Sequence, residues 1–182
     1  MLTNYLKENT SRYHTEAEIK FNSKKIFDQA FSINDYKNLL IAHYRLLASS
    51  ENNLNNFLDQ KLCEKLRYTK GKKLLNLKKD LHDFNDFIIP VESQIEINSK
   101  EEAIGVLYVI QGSSLGGNVI AKQLKRNPIF CNVNFHYFRE EGEHIGSNWK
   151  NFVEVLNFNF TENQYNDILK GAIKAYQKLL GI

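Results

Sequence analysis

His14 and Glu18 stand four residues apart in the stretch LKENTSRYHTEAE, which runs from Leu6 to Glu18. If this stretch is helical, the two side chains lie on neighbouring turns of one face and can meet. An imidazole that binds a metal through one nitrogen usually gives its other N–H to a carboxylate or a carbonyl. The pair therefore suits a metal ligand with its orienting partner, although an exposed ion pair on a helix has the same spacing.

A second feature is the segment GSSLGG, Gly112 to Gly117, which places three glycines inside an otherwise strong helical pattern. Each glycine in a helix interior destabilises the helix by about 1 kcal/mol relative to alanine. Such a segment indicates a kink or a close approach to bare backbone. The approaching group is either a neighbouring helix or a flat ligand, and the residues leave both readings open.

Other candidates for chemistry are weaker. Glu141 and His144 have the Glu-x-x-His spacing of a di-iron site in a helical bundle, but that site needs two such motifs and further carboxylates. His43 and His82 fall in helical segments and are expected to be structural or surface residues, and His136 lies in an irregular stretch. The chain contains no P-loop, GxGxxG or G-x-S-x-G motif, so nucleotide binding and α/β-hydrolase chemistry lack support.

The elements that carry these residues are predicted to be helices. Hydrophobic side chains recur at helical spacing in six segments, which are 3–20, 32–58, 72–84, 101–126, 146–157 and 161–180. Three of the segments open on capping pairs, which are Ser32 with Asp35, Ser99 with Glu102, and Thr161 with Gln164. Breaks are expected near Gly71 and at Pro90 and Pro128. The sequence therefore predicts one all-α domain over residues 1–182 with six or seven helices.

Composition narrows the class of protein further. The 182 residues include two prolines and nine glycines, which favours long helices over a turn-rich β fold. The net charge of +3 is too small for a chain built mainly to bind nucleic acid. Cys63 and Cys131 form no CxxC pair, the N-terminal stretch lacks the apolar core of a signal peptide, and no apolar run approaches the ~20 residues needed to span a bilayer. We expect a cytoplasmic protein without a membrane or nucleic-acid partner.

Taken together, LKENTSRYHTEAE and YVIQGSSLGGNVI resemble two motifs of the heme oxygenase family, in the same order and at a similar separation. The first is similar to the proximal helix of that family and the second to the distal helix, in the GS-x-LGG form of bacterial members. The resemblance implies a helical bundle with heme between a proximal helix and a kinked distal helix. It also implies that His14 is the axial ligand of the heme iron and that Glu18 accepts the free N–H of the imidazole.

The resemblance further implies an activity. Members of the family cleave heme oxidatively to biliverdin, carbon monoxide and ferrous iron, using dioxygen and external electrons, so that heme is both cofactor and substrate. Gly112, Gly116 and Gly117 would let the distal helix bend over the heme and leave room for dioxygen. The electrons would come from a ferredoxin, a flavodoxin or a reductase. Basic residues after the glycine segment are expected to help dock an acidic donor; they are Lys122, Lys125 and Arg126.

One position departs from a common form of the family, in which an aspartate follows the first distal glycine and anchors water. Here that position is Ser113, and Ser113, Ser114 and Asn118 are the polar candidates for holding water instead. Lys7 and Lys150 are candidates for contacts with the heme propionates, which need cationic or hydrogen-bonding partners.

Two alternatives follow from the same residues. The serine at position 113 leaves open a heme-binding protein that stores or senses heme without cleaving it. A relative with the same helical fold and another chemistry, such as a di-iron oxygenase or a thiaminase-like hydrolase, would need a carboxylate-rich iron site or a catalytic cysteine.

Overall fold

Three of the described α-helices begin directly after a residue whose side chain caps the backbone; they are Ile33–Phe57, Gln60–Lys65 and Lys100–Leu124. In a computed structural model, which describes residues 1–84, 93–139 and 142–182, the element order is α1 (Leu2–Lys20), α2 (Lys24–Phe27), α3 (Ile33–Phe57), α4 (Gln60–Lys65), α5 (Lys72–Asp83), α6 (Lys100–Leu124), α7 (Ile145–Asn159) and α8 (Tyr165–Leu180). Short 3₁₀ turns precede α7 and α8 and follow α6. The described residues form helices, turns and loops only, which confirms the all-α prediction.

Two of the predicted capping pairs are formed at the start of long helices. The Ser32 side chain accepts the backbone N–H of Asp35 at 3.1 Å, and the Asp35 carboxylate accepts the N–H of Ser32 at 2.9 Å. The Ser99 side chain accepts the N–H of Glu102 at 3.1 Å and opens α6. Each cap satisfies backbone donors that have no partner within the helix, which fixes where α3 and α6 begin.

The third capping pair and the predicted breaks are also accounted for within the described residues. Thr161 and Gln164 cap a 3₁₀ turn that leads into α8. Gly71 has a positive φ of 78° directly before α5, a conformation that glycine adopts at little cost. A 3₁₀ turn begins at Pro128, after the end of α6. The break predicted at Pro90 lies outside the described residues.

The central contact of the fold is the crossing of α6 and α8. A Cβ built on Gly105 would lie 1.9 Å from the carbonyl oxygen of Ile168, and one built on Gly171 would lie 2.0 Å from that of Glu102. The two backbones therefore touch at a point where only glycine fits. By length and composition α6 could cross a membrane, but 56% of its most apolar window is buried, as expected for the core helix of a helical bundle.

The helices that carry the two motifs are held on a common support. Both α1 and α6 pack against α7 and α8, whereas α1 and α6 make hardly any contact with each other over their described lengths. The relative position of α1 and α6 is therefore fixed by their common packing against α7 and α8. The prediction of one domain over residues 1–182 stays a prediction.

Candidate active site

The predicted pair on α1 is formed. His14 Nδ1 lies 3.6 Å from a carboxylate oxygen of Glu18, and the two side chains are 64% and 58% exposed. The distance is slightly longer than that of a hydrogen bond. Because Glu18 approaches Nδ1, the Nε2 atom of His14 is left to bind a metal. By geometry alone, this is still an exposed pair one helical turn apart.

On α6, the glycine segment borders an exposed apolar strip, which we define as Leu115, Gly116 and Val119. The side chains of Leu115 and Val119 are 38% and 48% exposed. A Cβ built on Gly116 would meet nothing within 4 Å. Large apolar side chains next to bare, open backbone form a surface suited to a flat apolar ligand.

A row of aromatic side chains links the two motifs. Tyr13, next to His14, stacks on Tyr176 of α8 with ring centroids 6.0 Å apart. Burial, and then the neighbouring Tyr108 of α6, raises the pKa of Tyr176 to about 12. Tyr108 lies 5.9 Å from Trp149 of α7. The row thus joins the part of α1 that carries His14 to the part of α6 that precedes the glycine segment.

The three glycines of the segment have different surroundings. A Cβ on Gly112 would lie 3.6 Å from the Trp149 ring, an ordinary contact, whereas one on Gly117 would lie 2.2 Å from Cδ1 of Phe138. Gly117 therefore provides a notch for the Phe138 ring. This is the close-packing alternative that the sequence left open, although the partner belongs to a loop and not to a neighbouring helix. The segment is α-helical throughout, and the predicted bend over a heme stays a prediction.

The polar residues of the segment point to different neighbours. Ser113 Oγ donates to the carbonyl of Ile110 at 2.7 Å and lies 3.2 Å from the hydroxyl of Tyr137. The buried Ser114 Oγ accepts from Nζ of the buried Lys73 at 2.5 Å. Asn118 is partly buried. Ser114 is thus engaged with α5, and Ser113 with the loop after α6.

Sequence reasoning missed a buried polar group behind the glycine segment. The Tyr137 hydroxyl lies 3.2 Å from His43 Nδ1, across 94 residues of sequence. Burial, and then the positive charge of Lys73, lowers the pKa of His43 to about 4. The buried Asp80 carboxylate accepts the N–H groups of His136 and Tyr137 at 2.7 and 2.8 Å. No local pattern signals these contacts, because each depends on how distant segments pack.

The predicted basic positions are at the surface. Lys7 and Lys150 are exposed, and Lys150 lies 3.9 Å from Glu154 on its own helix. The three basic residues after the glycine segment are exposed as well; they are Lys122, Lys125 and Arg126. Their positions are compatible with the predicted contacts to propionates and to a donor, which stay predictions.

Other metal-binding arrangements have less support. Asp80, Asp83 and His136 bring two carboxylates and an imidazole within 4.8 Å of one another. Both Asp80 oxygens already accept backbone N–H groups, so this carboxylate acts as a clamp on the loop. The Glu141 partner of the predicted Glu-x-x-His motif lies outside the described residues.

The chain was compared with known proteins. A sequence model of the heme oxygenase family matches residues 1–179. A heme oxygenase of Xanthomonas campestris pv. campestris is 35% identical over 124 residues, which cover 66% of this chain and 71% of that protein. The crystal structure of the NO- and CO-bound heme oxygenase from Neisseria meningitidis superposes with a TM-score of 0.71 at 20% identity, covering 100% of this chain and 93% of that one. The last match shows the fold, and the family match spans nearly the whole sequence: this chain belongs to the heme oxygenase family.

Proposed function

We propose that the protein binds heme between α1 and α6 and cleaves it to biliverdin, carbon monoxide and ferrous iron. The observation that carries the proposal is the pairing of two surfaces. An imidazole with its carboxylate stands on α1, and the strip Leu115–Gly116–Val119 is exposed on α6. These helices share α7 and α8 as a base and scarcely touch each other, which suits a flat ligand between them.

The residues of α1 fit the iron of such a ligand. His14 Nε2 would be the atom that binds the iron, because the Glu18 carboxylate lies on the Nδ1 side of the ring, where it is placed to orient the imidazole. An imidazole is a common axial ligand for heme iron in proteins. When bound, the heme supplies the iron at which dioxygen is activated.

The residues of α6 suit the face of the porphyrin opposite to His14. Gly116 contributes bare backbone, and Leu115 and Val119 contribute apolar contacts, so the porphyrin loses contact with water on this side. The absence of a side chain at Gly116 leaves open space on this surface, in which a diatomic molecule would have room to bind. Gly112 and Ser113 border the same surface.

The reaction also requires reducing equivalents and binding of the propionates. Lys7 and Lys150 are the proposed cationic partners of the heme carboxylates. The exposed Lys122, Lys125 and Arg126 form a basic surface at the end of α6, which we assign to an acidic electron donor such as a ferredoxin or flavodoxin. Long-range attraction would raise the rate of encounter with such a donor at low salt.

A single-turnover experiment tests the function. The one-to-one heme complex is mixed with ascorbate in air, with catalase present to remove free peroxide, and the products are separated by chromatography. We expect biliverdin and one equivalent of carbon monoxide. A complex that keeps its heme intact under these conditions would contradict the proposal and favour a protein that stores or senses heme.

A further inference from the structure

A cavity of about 470 Å³ lies outside the proposed heme site. It is lined by residues of α4 and of the loop that joins α4 to α5, including Glu64, Arg67, Thr69 and Lys70. Its volume is in the range of small-molecule pockets in proteins. Two cationic side chains and a hydroxyl therefore border a space that is large enough for a small organic molecule.

Arg67, which lines this cavity, has an unusual backbone conformation. Its N–H donates to the carbonyl of Glu64 at 3.1 Å. The N–H of Tyr68 donates to the carbonyl of Cys63 at 2.9 Å, which completes the Schellman motif that ends many helices. Arg67 has a positive φ of 51°, at the position where this motif usually has glycine. Because glycine adopts this conformation at a lower cost in free energy, we expect the arginine side chain to have a task of its own.

Neutral oxygen atoms hold the two cations in place. Arg67 Nη1 donates to Asn148 Oδ1 of α7 at 3.0 Å. Lys70 Nζ donates to the backbone carbonyl of Asn55 at 3.2 Å. A guanidinium has five N–H donors and an ammonium has three, so each group keeps donors for a ligand after these bonds are made. The bonds therefore orient the two cations without neutralising them.

The charge around the cavity favours an anion with two negative charges. Residues 59–80 contain eight lysines and arginines and three acidic residues, a net charge of +5, whereas the whole chain carries +3. Glu64 is the acidic residue that lines the cavity, and its carboxylate accepts the side-chain amide of Gln60 at 2.9 Å. An anion would therefore bind on the side of Arg67 and Lys70, and a dianion gains more from the surplus of positive charge than a single carboxylate does.

We propose that this cavity binds the phosphate group of a small phosphorylated molecule. The Arg67 guanidinium matches two phosphate oxygens at once, Lys70 Nζ supplies a second positive charge, and the exposed Thr69 is placed to donate its hydroxyl. The phosphate belongs either to a soluble phosphate ester or to the headgroup of an anionic lipid, since the chemistry of recognition is the same. The proposal goes beyond heme chemistry and stands whether or not the protein cleaves heme.

Calorimetric titration of the heme-free protein with glycerol 3-phosphate, at an ionic strength held constant with chloride, tests the site. Arg67→Gly removes the guanidinium and suits the left-handed backbone, so it should weaken binding by about tenfold or more without lowering the midpoint of urea denaturation. Lys65→Ala removes one positive charge from an exposed residue of α4, and the affinity should stay within about twofold of wild type. Glu64→Gln removes the opposing charge and should tighten binding by about threefold.

Co-sedimentation with vesicles that contain phosphatidic acid separates the two sources of phosphate. Binding of glycerol 3-phosphate identifies a soluble ester, and binding of the vesicles alone identifies a lipid headgroup. In both cases Arg67→Gly should weaken the binding far more than Lys65→Ala does. Failure of both probes to bind, or equal weakening by the two substitutions, would overturn the proposal.

Discussion

At the scale of single residues, the pair on α1 illustrates how little an isolated geometry says about function. His14 and Glu18 resemble the neighbouring pair of Arg12 and Glu16, whose atoms lie 3.5 Å apart on the same helix. Both pairs are exposed and both have the same spacing. What distinguishes His14 is the chemistry of an imidazole and its place beside the aromatic row that leads to α6.

This comparison yields a prediction for Glu18→Gln. Replacing the carboxylate weakens the orientation and basicity of the imidazole, and we expect heme affinity or turnover to fall by about tenfold. The matched control is Glu16→Gln, which breaks the Arg12 pair on the same helix and should leave both quantities unchanged. Hemin titration and single turnover measure the two variants; equal effects of the two substitutions would contradict the assigned role of Glu18.

At the scale of elements, α6 is both a core helix and one side of the proposed heme site. Its first half is buried and crosses α8 at Gly105, and its second half carries the glycine segment. Within that segment, Gly117 faces the Phe138 ring and Gly116 faces open space. The two glycines should therefore respond differently to the same substitution.

We expect Gly117→Ala to lower the free energy of unfolding by about 1–3 kcal/mol, because the added methyl group overlaps the Phe138 ring. Gly116→Ala should raise it by up to about 1 kcal/mol, since alanine favours a helix and meets no neighbour. Urea denaturation measures both changes in the free energy of unfolding.

Gly116→Ala should also weaken heme binding by about tenfold, because its methyl group fills space next to the porphyrin. Unchanged heme affinity in Gly116→Ala would place the heme elsewhere.

The long helices and their starts could be predicted because periodicity and caps are local signals. Ser32 and Ser99 show this, since each accepts the N–H three residues ahead. The short helices α2 and α4 were not predicted, because segments of four and six residues are too short to display a helical period. His43 was expected to be a structural or surface residue. Its contact with Tyr137 could not be predicted, because it spans 94 residues of sequence and exists only after folding. Close packing at Gly117 was one of the two alternatives left open, and only its partner, Phe138, could not be predicted.

At the scale of the whole molecule, the buried histidine links stability to pH. The pKa of His43 falls from 6.5 in the unfolded chain to about 4 in the folded protein. Above pH 6.5 neither state binds the proton, and the contribution of His43 to stability is complete. As the pH falls from 6.5 to 4, the unfolded chain takes up the proton first, so this contribution is lost progressively.

We predict that His43 alone removes about 3 kcal/mol of stability between pH 7 and pH 4. Carboxyl groups also contribute in this range, including Asp80, whose pKa is raised above its ordinary value mainly by burial. The informative quantity is therefore the difference between wild type and His43→Gln in urea denaturation at several pH values. Parallel pH profiles for the two proteins would show that His43 is not buried as a neutral ring.

The distribution of charge gives a second prediction at this scale. Reversing Lys122, Lys125 and Arg126 to glutamate should slow turnover with a ferredoxin or flavodoxin at low salt, by about tenfold or more, and leave turnover with ascorbate unchanged. The control is the reversal of Lys24, Lys25 and Lys37, which lie on α2 and α3. Donor-dependent rates that match wild type at low ionic strength would remove this surface from the proposed docking site.

The central claim, that His14 binds the iron of a heme held between α1 and α6, is tested most directly by titrating hemin into wild type and His14→Ala and recording the Soret band. Wild type should saturate at one equivalent with a sharp band. The variant should fold normally, because alanine suits a helix, but bind hemin more weakly with a shifted band that added imidazole restores. A variant whose band and affinity match wild type would show that the iron is held by another residue.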